Sequence, residues 1–306
     1  MKTQGPFRVA SPAKVTLHLR ILRRRSDGYH EIRIALAPVA LYDRLTFALG
    51  GSAGLALALE PPEGAGPADA PEALGPPEDN LVLRAARAFQ AALGEPVGGA
   101  IRLAKRIPAG AGLGGGSGNA AATLVALNRW HGMRVGPDRL HALATGLGAD
   151  VPFFLEPRPA WAEGIGERLT PLGPLPALEL LVVKPPLAIA TGAAYAACRP
   201  EAAGGPAPAH EPDWSSVTGV VAGLFNAFEA VLLPRHPVLG AVRAALREAG
   251  ALGVSLSGSG SALFGVFADA AARDAATARL TDRAHAEGWR LFPCRTLAAH
   301  RYDLVY

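Results

Sequence analysis

A run of glycines leading into a helix is the feature that most constrains this chain. Six glycines fall between Gly110 and Gly118, and an alanine-rich segment with high helix propensity follows at once. Glycine lacks a Cβ, so its backbone N–H groups can approach an anion closely and adopt positive φ. The helix that follows adds unpaired N–H groups and the positive end of its dipole at the same place. The pattern predicts a phosphate-binding loop rather than a flexible linker, because linkers rarely run directly into a strong helix.

Three common phosphate loops do not fit this run. Gly110, Gly112 and Gly115 have the spacing of the dinucleotide fingerprint, but residues 129–132 read Arg-Trp-His-Gly where an acidic residue should end the next strand. No Gly-Lys-Ser/Thr closes the loop, so the Walker pattern fails as well. The glycine loop of protein kinases lies between two strands, and the catalytic-loop and Asp-Phe-Gly signatures are absent from the sequence.

Composition limits the class of protein. The chain has 306 residues, of which 50% are hydrophobic, enough for one large domain or two with a sizeable core. The net charge is +4, and the basic residues are scattered except for Arg23–Arg25, which precede an Asp-Gly turn. We therefore expect no nucleic-acid partner, whereas a basic lip would suit an anionic nucleotide substrate. Cys198 and Cys294 indicate a reduced, cytoplasmic protein without a metal cluster, and no signal peptide or membrane span is apparent.

The hydrophobic pattern predicts an α+β fold with two lobes, residues 1–160 and 161–306. Asn80 and Asp269 are expected to cap helices, and residues 61–77 and 200–212 are expected to be loops. The predicted strands are 7–22, 32–39, 45–49, 54–59, 100–105, 178–184, 254–256 and 262–267, with a hairpin over 160–167 and further strands after Arg290. The predicted helices are 80–93, 118–130, 137–148, 226–233, 238–248 and 269–288.

Five motifs resemble the GHMP kinases (galactokinase, homoserine, mevalonate and phosphomevalonate kinases). The segment from Pro108 to Ala121 resembles their phosphate loop. Its longer form, Gly-Leu-Gly-Gly-Gly-Ser-x-Asn-Ala-Ala, resembles the branch that acts on 4-diphosphocytidyl-2-C-methyl-D-erythritol in the non-mevalonate isoprenoid pathway. The other four motifs occur in family order at Ser11–Leu17, Arg25–Glu31, Gly148–Phe154 and Leu256–Ser261.

The resemblance implies a two-lobed GHMP kinase fold with the active-site cleft between the lobes, and it implies ATP and Mg²⁺ as cofactors. Ser117 supplies a hydroxyl where loop and helix meet, so it could coordinate Mg²⁺, touch a phosphate or simply cap the helix. The residues expected to bind the nucleotide are Pro108, Gly110, Gly112, Leu113, Gly114, Gly115, Gly116, Ser117 and Gly118.

Lys14 and Asp150 are the expected catalytic residues. Asp150 lies between two apolar stretches, where a carboxylate needs a cation to stay ionised, and Lys14 in an apolar strand is the natural partner. Asp150 would accept the proton of the substrate hydroxyl while Lys14 steadies the transferring charge. From the residues alone, a purely structural ion pair or a helix-capping aspartate is equally open, and the resemblance favours catalysis.

The resemblance also implies a cytidyl diphosphate substrate. Tyr29 and Tyr195 would stack on the cytosine, and His30 would read its edge, although a packed aromatic and a turn histidine are the plainer alternatives. Two positions depart from the family: Thr16 stands where asparagine is usual, and Gly118 replaces a serine. The expected substrate-binding residues are Thr16, Tyr29, His30, Tyr195, Gly258 and Ser259.

Other functions stay open at this point. A mevalonate or homoserine kinase would share the fold but would have no base to stack on Tyr29. A nucleotide-binding protein without catalysis would keep the loop yet turn nothing over, and a dinucleotide oxidoreductase would prefer NAD to ATP. We expect a small-molecule substrate, no nucleic-acid or membrane partner, and either a monomer or a homodimer.

Overall fold

The computed structural model describes residues 5–51, 54–61, 76–198 and 212–306. The predicted loops at 61–77 and 200–212 fall almost entirely outside these ranges. No helix in the described ranges combines the length and hydrophobicity that crossing a membrane requires. Cys198 and Cys294 are both buried, and no disulfide joins them.

Two long antiparallel strands, β1 (Phe7–Arg24) and β2 (His30–Leu49), form the spine of a seven-stranded sheet. The remaining strands of the sheet are β3 (Leu55–Glu60), β4 (Gly99–Ala104), β5 (Ala160–Gly164), β6 (Arg168–Pro171) and β8 (Phe225–Asn226). The strand order is β3-β4-β2-β1-β8. In addition, β5 pairs with β2, and β6 pairs with β5.

Register shifts in β1 decide which side chains face the cleft. The shift between Pro12 and Ala13 is absorbed within β2, which is one continuous strand, so the prediction of two strands there was wrong. A second shift, between Thr16 and His18, inserts an unpaired residue and reverses the alternation of side chains. Leu19 therefore lines the same cavity as Lys14 and Thr16.

A second sheet has four strands, β7 (Glu179–Lys184), β9 (Gly253–Leu256), β10 (Leu263–Phe267) and β11 (Arg290–Arg295). Their order in the sheet is β11-β7-β10-β9. The predicted hairpin at 160–167 is present as β5 and β6, and it extends the first sheet rather than the second. The domain boundary near residue 160 stays a prediction.

Helix ends follow local sequence signals in two clear cases. Asn80 accepts a hydrogen bond from the Val82 N–H at the start of α1 (Leu81–Leu93), and Gly94 ends that helix in the left-handed conformation. Asp269 caps α8 (Ala270–Glu287) in the same way, through the Ala272 N–H. Both predicted caps are confirmed.

The helix after the glycine loop, α2 (Gly115–Trp130), starts three residues earlier than predicted. Gly114 is its N-cap at φ 70°, so Ser117 lies inside the first turn and the capping role proposed for its side chain was wrong. Small residues let α2 pack closely against β1, α1 and the turn at Pro152–Leu155. The helix is consequently buried on several sides, and its N-terminus faces the cleft.

The remaining helices frame these layers. The helix predicted from Asn226 begins only at Glu229, because Asn226 belongs to β8 and its side chain accepts from the Phe228 N–H. The remaining helices of the described residues are α3 (Pro137–Leu147), α4 (Thr191–Ala197), α5 (Val217–Gly223), α6 (Glu229–Arg235) and α7 (Pro237–Glu248).

Candidate active site

The glycine loop connects β4 to α2 and is locked against the turn between β9 and β10. The Ser257 hydroxyl donates to the Gly112 carbonyl at 2.9 Å, and the Ala262 N–H donates to the Ala111 carbonyl at 3.2 Å. Gly112 has φ +73°, and a Cβ there would lie 1.9 Å from the Ser257 carbonyl oxygen. Glycine is required at this position because any side chain would separate the two turns.

A cavity of about 450 Å³ opens beside this loop. It brings together the loop, the turn that carries Gly258 and Ser259, and the two residues expected to be catalytic, Lys14 and Asp150. The predicted site residues on its wall are Lys14, Thr16, Pro108, Gly110, Gly112, Leu113, Gly114, Gly115, Gly116, Ser117, Asp150, Tyr195, Gly258 and Ser259.

Gly118 is the predicted loop residue that the structure places elsewhere. It lies inside α2, and a Cβ there would be 2.8 Å from the Ser11 hydroxyl oxygen of β1. It does not belong to the cavity wall, so its assignment to nucleotide binding is not supported. Its departure from the family serine therefore concerns packing between α2 and β1.

Lys14 and Asp150 approach each other across the cavity. The Lys14 ammonium is buried, lies 4.0 Å from an Asp150 carboxylate oxygen, and donates to the Thr16 hydroxyl at 3.1 Å. Burial lowers the pKa of Lys14 below its ordinary value, and the Asp150 carboxylate opposes this shift. The Asp150 side chain is 41% exposed, so it can meet a substrate that enters the cleft.

Apolar neighbours fix Asp150 at the edge of the cleft. Val151, Phe153 and Phe154 are buried directly after it. The Phe154 ring packs so closely on Gly114 that a Cβ at Gly114 would lie 2.6 Å from a ring carbon. The Tyr302 hydroxyl also donates to the Phe154 carbonyl at 2.6 Å. The segment that carries Asp150 is therefore packed against the glycine loop through the Phe154 ring.

A second cavity of about 810 Å³ adjoins the first. Tyr29, His30 and Arg24 lie on its wall, together with the start of α4. The two cavities share the residues Ile34, Ser117, Asp150, Thr191 and Tyr195. They are thus two halves of one cleft, and Ser117 and Asp150 stand where the halves meet.

Aromatic rings line the second half of the cleft. The His30 ring stacks on Tyr195 with centroids 5.1 Å apart and an interplanar angle of 22°. Tyr195 also meets the Phe228 ring edge-on at 4.9 Å, whereas Tyr29 is 60% exposed at the rim. Burial lowers the pKa of His30, with a smaller contribution from Arg24, and burial raises the pKa of Tyr195. The histidine is thereby favoured in its neutral form, which can both donate and accept a hydrogen bond.

The three arginines of the Arg23–Arg25 triplet differ in their ion-pair partners. Arg23 pairs with Glu31 at 2.5 Å, and Arg25 pairs with Asp27 at 2.7 Å. Arg24 lies on the wall of the second cavity and has no ion pair within the described residues. Its guanidinium is the one member of the triplet placed to meet an anionic substrate.

Sequence reasoning missed several residues on the nucleotide side. Asn80, Leu81, Lys105 and Asn119 also line the first cavity. One signal was available for Lys105: it is one of only four lysines among 30 basic residues, as Lys14 is. Asn119 is the asparagine of the Gly-Ser-x-Asn-Ala-Ala motif, so that motif was the available signal for it, although the surrounding helix is rich in alanine.

No cluster of three or more histidine, cysteine, aspartate or glutamate side chains suited to a metal occurs among the described residues. Mg²⁺ in kinases usually keeps several waters and binds mainly to substrate phosphates, with few protein ligands. The Ser117 hydroxyl, at the junction of the cleft, fits that mode of binding as a single protein ligand.

Comparison with known proteins decides the family. Residues 80–156 match the GHMP kinases N terminal domain, and residues 219–286 match the GHMP kinases C terminal family. A 4-diphosphocytidyl-2-C-methyl-D-erythritol kinase of Pelotomaculum thermopropionicum is 42% identical over 276 residues, covering 88% of this chain and 93% of that protein. The chain belongs to the 4-diphosphocytidyl-2-C-methyl-D-erythritol kinase family. A Geobacter kinase of the same name is 38% identical over 291 residues, covering 95% of this chain and 99% of that protein.

Solved structures agree with this membership. A crystal structure of a 4-(cytidine 5'-diphospho)-2C-methyl-D-erythritol kinase superposes with a TM-score of 0.77 at 38% identity, covering 94% of this chain and 98% of that one. A Leishmania major mevalonate kinase superposes with a TM-score of 0.70 at 14% identity and covers 94% of each chain, a likeness of fold alone. The resemblance read from five motifs and the α+β GHMP kinase fold are both confirmed.

Proposed function

We propose that this protein transfers the γ-phosphate of ATP to the 2-hydroxyl of 4-diphosphocytidyl-2-C-methyl-D-erythritol. The products are the 2-phosphate and ADP, in the synthesis of isoprenoid precursors. One observation carries the proposal: the cavity at the glycine loop and the cavity lined by Tyr29 and His30 meet at Ser117 and Asp150. A kinase needs this geometry, because the acceptor hydroxyl must face the γ-phosphate directly, with the group that takes its proton beside it.

ATP binds in the first half of the cleft in this proposal. The backbone N–H groups of the glycine loop and the N-terminus of α2 supply positive potential for its phosphates, without a Walker lysine. Mg²⁺ would arrive with the nucleotide, where it neutralises phosphate charge, and Ser117 would be its protein ligand. Lys105 and Asn119 add polar groups to the same wall.

Asp150 accepts the proton of the 2-hydroxyl as that oxygen attacks the γ-phosphorus. Lys14 lies 4.0 Å from the carboxylate and holds it ionised, while its positive charge also stabilises the transferring phosphoryl group. The Thr16 hydroxyl accepts from Lys14 at 3.1 Å and thereby fixes the ammonium. The threonine that departs from the family pattern therefore still serves to orient the lysine.

The cytidyl diphosphate lies in the second half of the cleft. The cytosine stacks on Tyr29, and the neutral imidazole of His30, held by its stacking on Tyr195, hydrogen-bonds to the base edge. Arg24 attracts the diphosphate. Gly258 and Ser259 bound the acceptor end of the molecule, near the Lys14 ammonium.

The unpaired cysteines Cys198 and Cys294 suit a reducing compartment, and we propose the cytoplasm. Cys294 is buried, and its pKa is raised to about 12 by that burial, which keeps the thiol protonated and unreactive. Neither thiol enters the proposed chemistry.

The decisive test measures ADP release from ATP and Mg²⁺ by the purified protein. 4-Diphosphocytidyl-2-C-methyl-D-erythritol, mevalonate and homoserine are supplied in parallel. Turnover with the cytidyl compound alone supports the proposal. Turnover with a base-free alcohol would retain the kinase and reject the cytidine site, and ATP binding without any turnover would indicate a non-catalytic nucleotide-binding protein.

A further inference from the structure

Asp43 is a buried carboxylate that the proposed chemistry does not use. It lies in β2, is fully buried, and accepts hydrogen bonds from four donors. One carboxylate oxygen accepts from the backbone N–H groups of Arg106 and Ile107, each at 2.8 Å. The other accepts from the Lys105 ammonium at 2.5 Å and from the Asn119 side-chain amide at 2.8 Å.

These four donors lie on both sides of the glycine loop. Residues 105–107 lead from β4 into the loop, and Asn119 stands in the second turn of α2, after the loop has ended. The two sides also touch, because a Cβ at Gly115 would lie 2.8 Å from the Ile107 side chain and 3.3 Å from the Lys105 ammonium. One carboxylate thus joins the entrance of the loop to the helix at its exit.

The geometry points to Asp43 as the positioning residue of the nucleotide site. By joining the two ends of the glycine loop it fixes the direction in which the loop N–H groups and the first turn of α2 face. It also holds the ammonium of Lys105, which is 11% exposed, on the cavity wall. Asp43 itself is not on that wall, so it acts through the loop and not by touching the nucleotide.

Alternative roles explain this arrangement less well. A carboxylate kept only to neutralise Lys105 would not need two backbone N–H groups on its other oxygen. A carboxylate kept only for packing would be costly in a fully buried position, because an apolar side chain could fill that space without desolvating a charge. All four donors belong to residues that flank the phosphate-binding loop of the proposed function. The inference therefore rests on that proposed function.

The test uses Asp43→Asn, which is nearly isosteric. The amide oxygen can still accept from Arg106 and Ile107, but the amide N–H₂ group would face two other donors, Lys105 and Asn119. The variant therefore keeps the entrance contacts and breaks those to the exit helix and the lysine. We expect the dissociation constant for ATP to rise about 10- to 100-fold, the scale on which losing a residue that orients a ligand-binding group lowers metal affinity or activity.

A change confined to ATP binding distinguishes a positioning role of Asp43 from a role in the stability of the fold alone. The KM for the cytidyl substrate should change less than about twofold, because the second cavity does not touch Asp43. Glu179→Gln is the matched control: it breaks a largely buried ion pair between Glu179 of β7 and Arg273 of α8, and it should lower the thermal midpoint without changing ATP binding. An ATP dissociation constant unchanged in folded Asp43→Asn would overturn the inference.

A milder variant covers a failure of Asp43→Asn to fold. Asn119→Ala removes the exit contact and also the side-chain amide that Asn119 places on the wall of the first cavity, so its effect includes any direct contact with ATP. We expect a rise in the ATP dissociation constant, and no rise would overturn the inference. Wild-type protein that binds no ATP would reject the proposed function and this inference together. Wild-type binding with unchanged variants would reject the inference alone.

Discussion

The Lys14 ammonium lies 4.0 Å from the Asp150 carboxylate and has its hydrogen bond with Thr16 instead. The two charges therefore influence each other without being locked in a hydrogen-bonded pair. A loose pair of this kind leaves the carboxylate free to accept a hydrogen bond from a substrate hydroxyl. It also leaves the ammonium free to face the phosphoryl group.

Replacing Asp150 by asparagine removes the proposed proton acceptor while keeping the shape of the side chain. We expect kcat to fall about 10²- to 10⁴-fold, the usual contribution of a general base, with small changes in both KM values. Steady-state kinetics of ADP release measure this. Asp138→Asn, at an exposed position in the first turn of α3, is the matched control and should be neutral. Wild-type kcat in Asp150→Asn would mean that the Lys14–Asp150 pair is only structural.

Because Lys14 is buried, the free energy of unfolding should change with pH in the alkaline range. Burial lowers its pKa in the folded protein below 10.5, so the folded chain binds fewer protons than the unfolded chain between these two values. The destabilisation from burying the charge is present below the folded pKa and is relieved as the pH rises toward 10.5. In urea unfolding between pH 7 and 10.5, the stability of wild type minus that of Lys14→Met should rise with pH. A difference that stays flat would contradict the shifted pKa.

The same shift predicts a basic limb in the activity profile. Loss of the Lys14 proton removes the cation that holds Asp150 and stabilises the transferring phosphate, so kcat/KM should begin to fall at a pH below 10.5 as the pH is raised. A kcat/KM that holds constant up to pH 10.5 would argue against a role for the ammonium.

Tyr29 should matter for the organic substrate and not for ATP. Truncation to alanine removes a stacking surface worth about 1–3 kcal/mol, so the KM for the cytidyl substrate should rise about 5- to 150-fold. The KM for ATP should stay the same, because Tyr29 lines only the second cavity. Tyr306→Ala is a control at a similarly exposed tyrosine, 67% against 60%. An unchanged KM for the cytidyl substrate would reject the cytosine site.

Arg24 and Arg23 form a matched pair for testing the basic lip. Arg24 lies on the wall of the second cavity, whereas Arg23 is engaged with Glu31. Arg24→Ala should raise the KM for the cytidyl diphosphate by about fivefold at low salt and less at high salt, since an exposed charge contributes little and is screened. Arg23→Ala should leave this KM unaltered. Equal effects of the two variants would indicate general charge attraction and no specific contact.

Gly112 is held at φ +73° against the backbone of Ser257, and Gly132 has nearly the same φ, +71°, with open space around it. Gly132→Ala should lose about 1–2 kcal/mol of unfolding free energy, from the left-handed conformation alone. Gly112→Ala should lose more and should also weaken ATP binding, because the added Cβ forces the loop away from the neighbouring turn. Chemical denaturation and ATP titration of both variants measure this, and equal losses would show that the close approach is unimportant.

Features that depend only on neighbouring residues could be predicted from the amino-acid sequence. Asn80 and Asp269 cap their helices because each side chain reaches an N–H two or three residues away. The glycine loop, the strand that carries Lys14 and the segment around Asp150 could be recognised for the same reason, since each is a short contiguous pattern. The family followed from the order of those patterns along the chain.

Contacts between segments that are distant in sequence could not be predicted in this way. β2 is a single strand because pairing with β1 absorbs its irregular residues, and α2 starts early because Gly114 and Gly115 fit closely against Phe154 and Ile107. Asp43 lies 62 residues before Lys105 and 76 before Asn119, so no local pattern could reveal their contact. Contacts of this kind depend on how the sheet and helices pack, and packing is a property of the whole chain rather than of any segment within it.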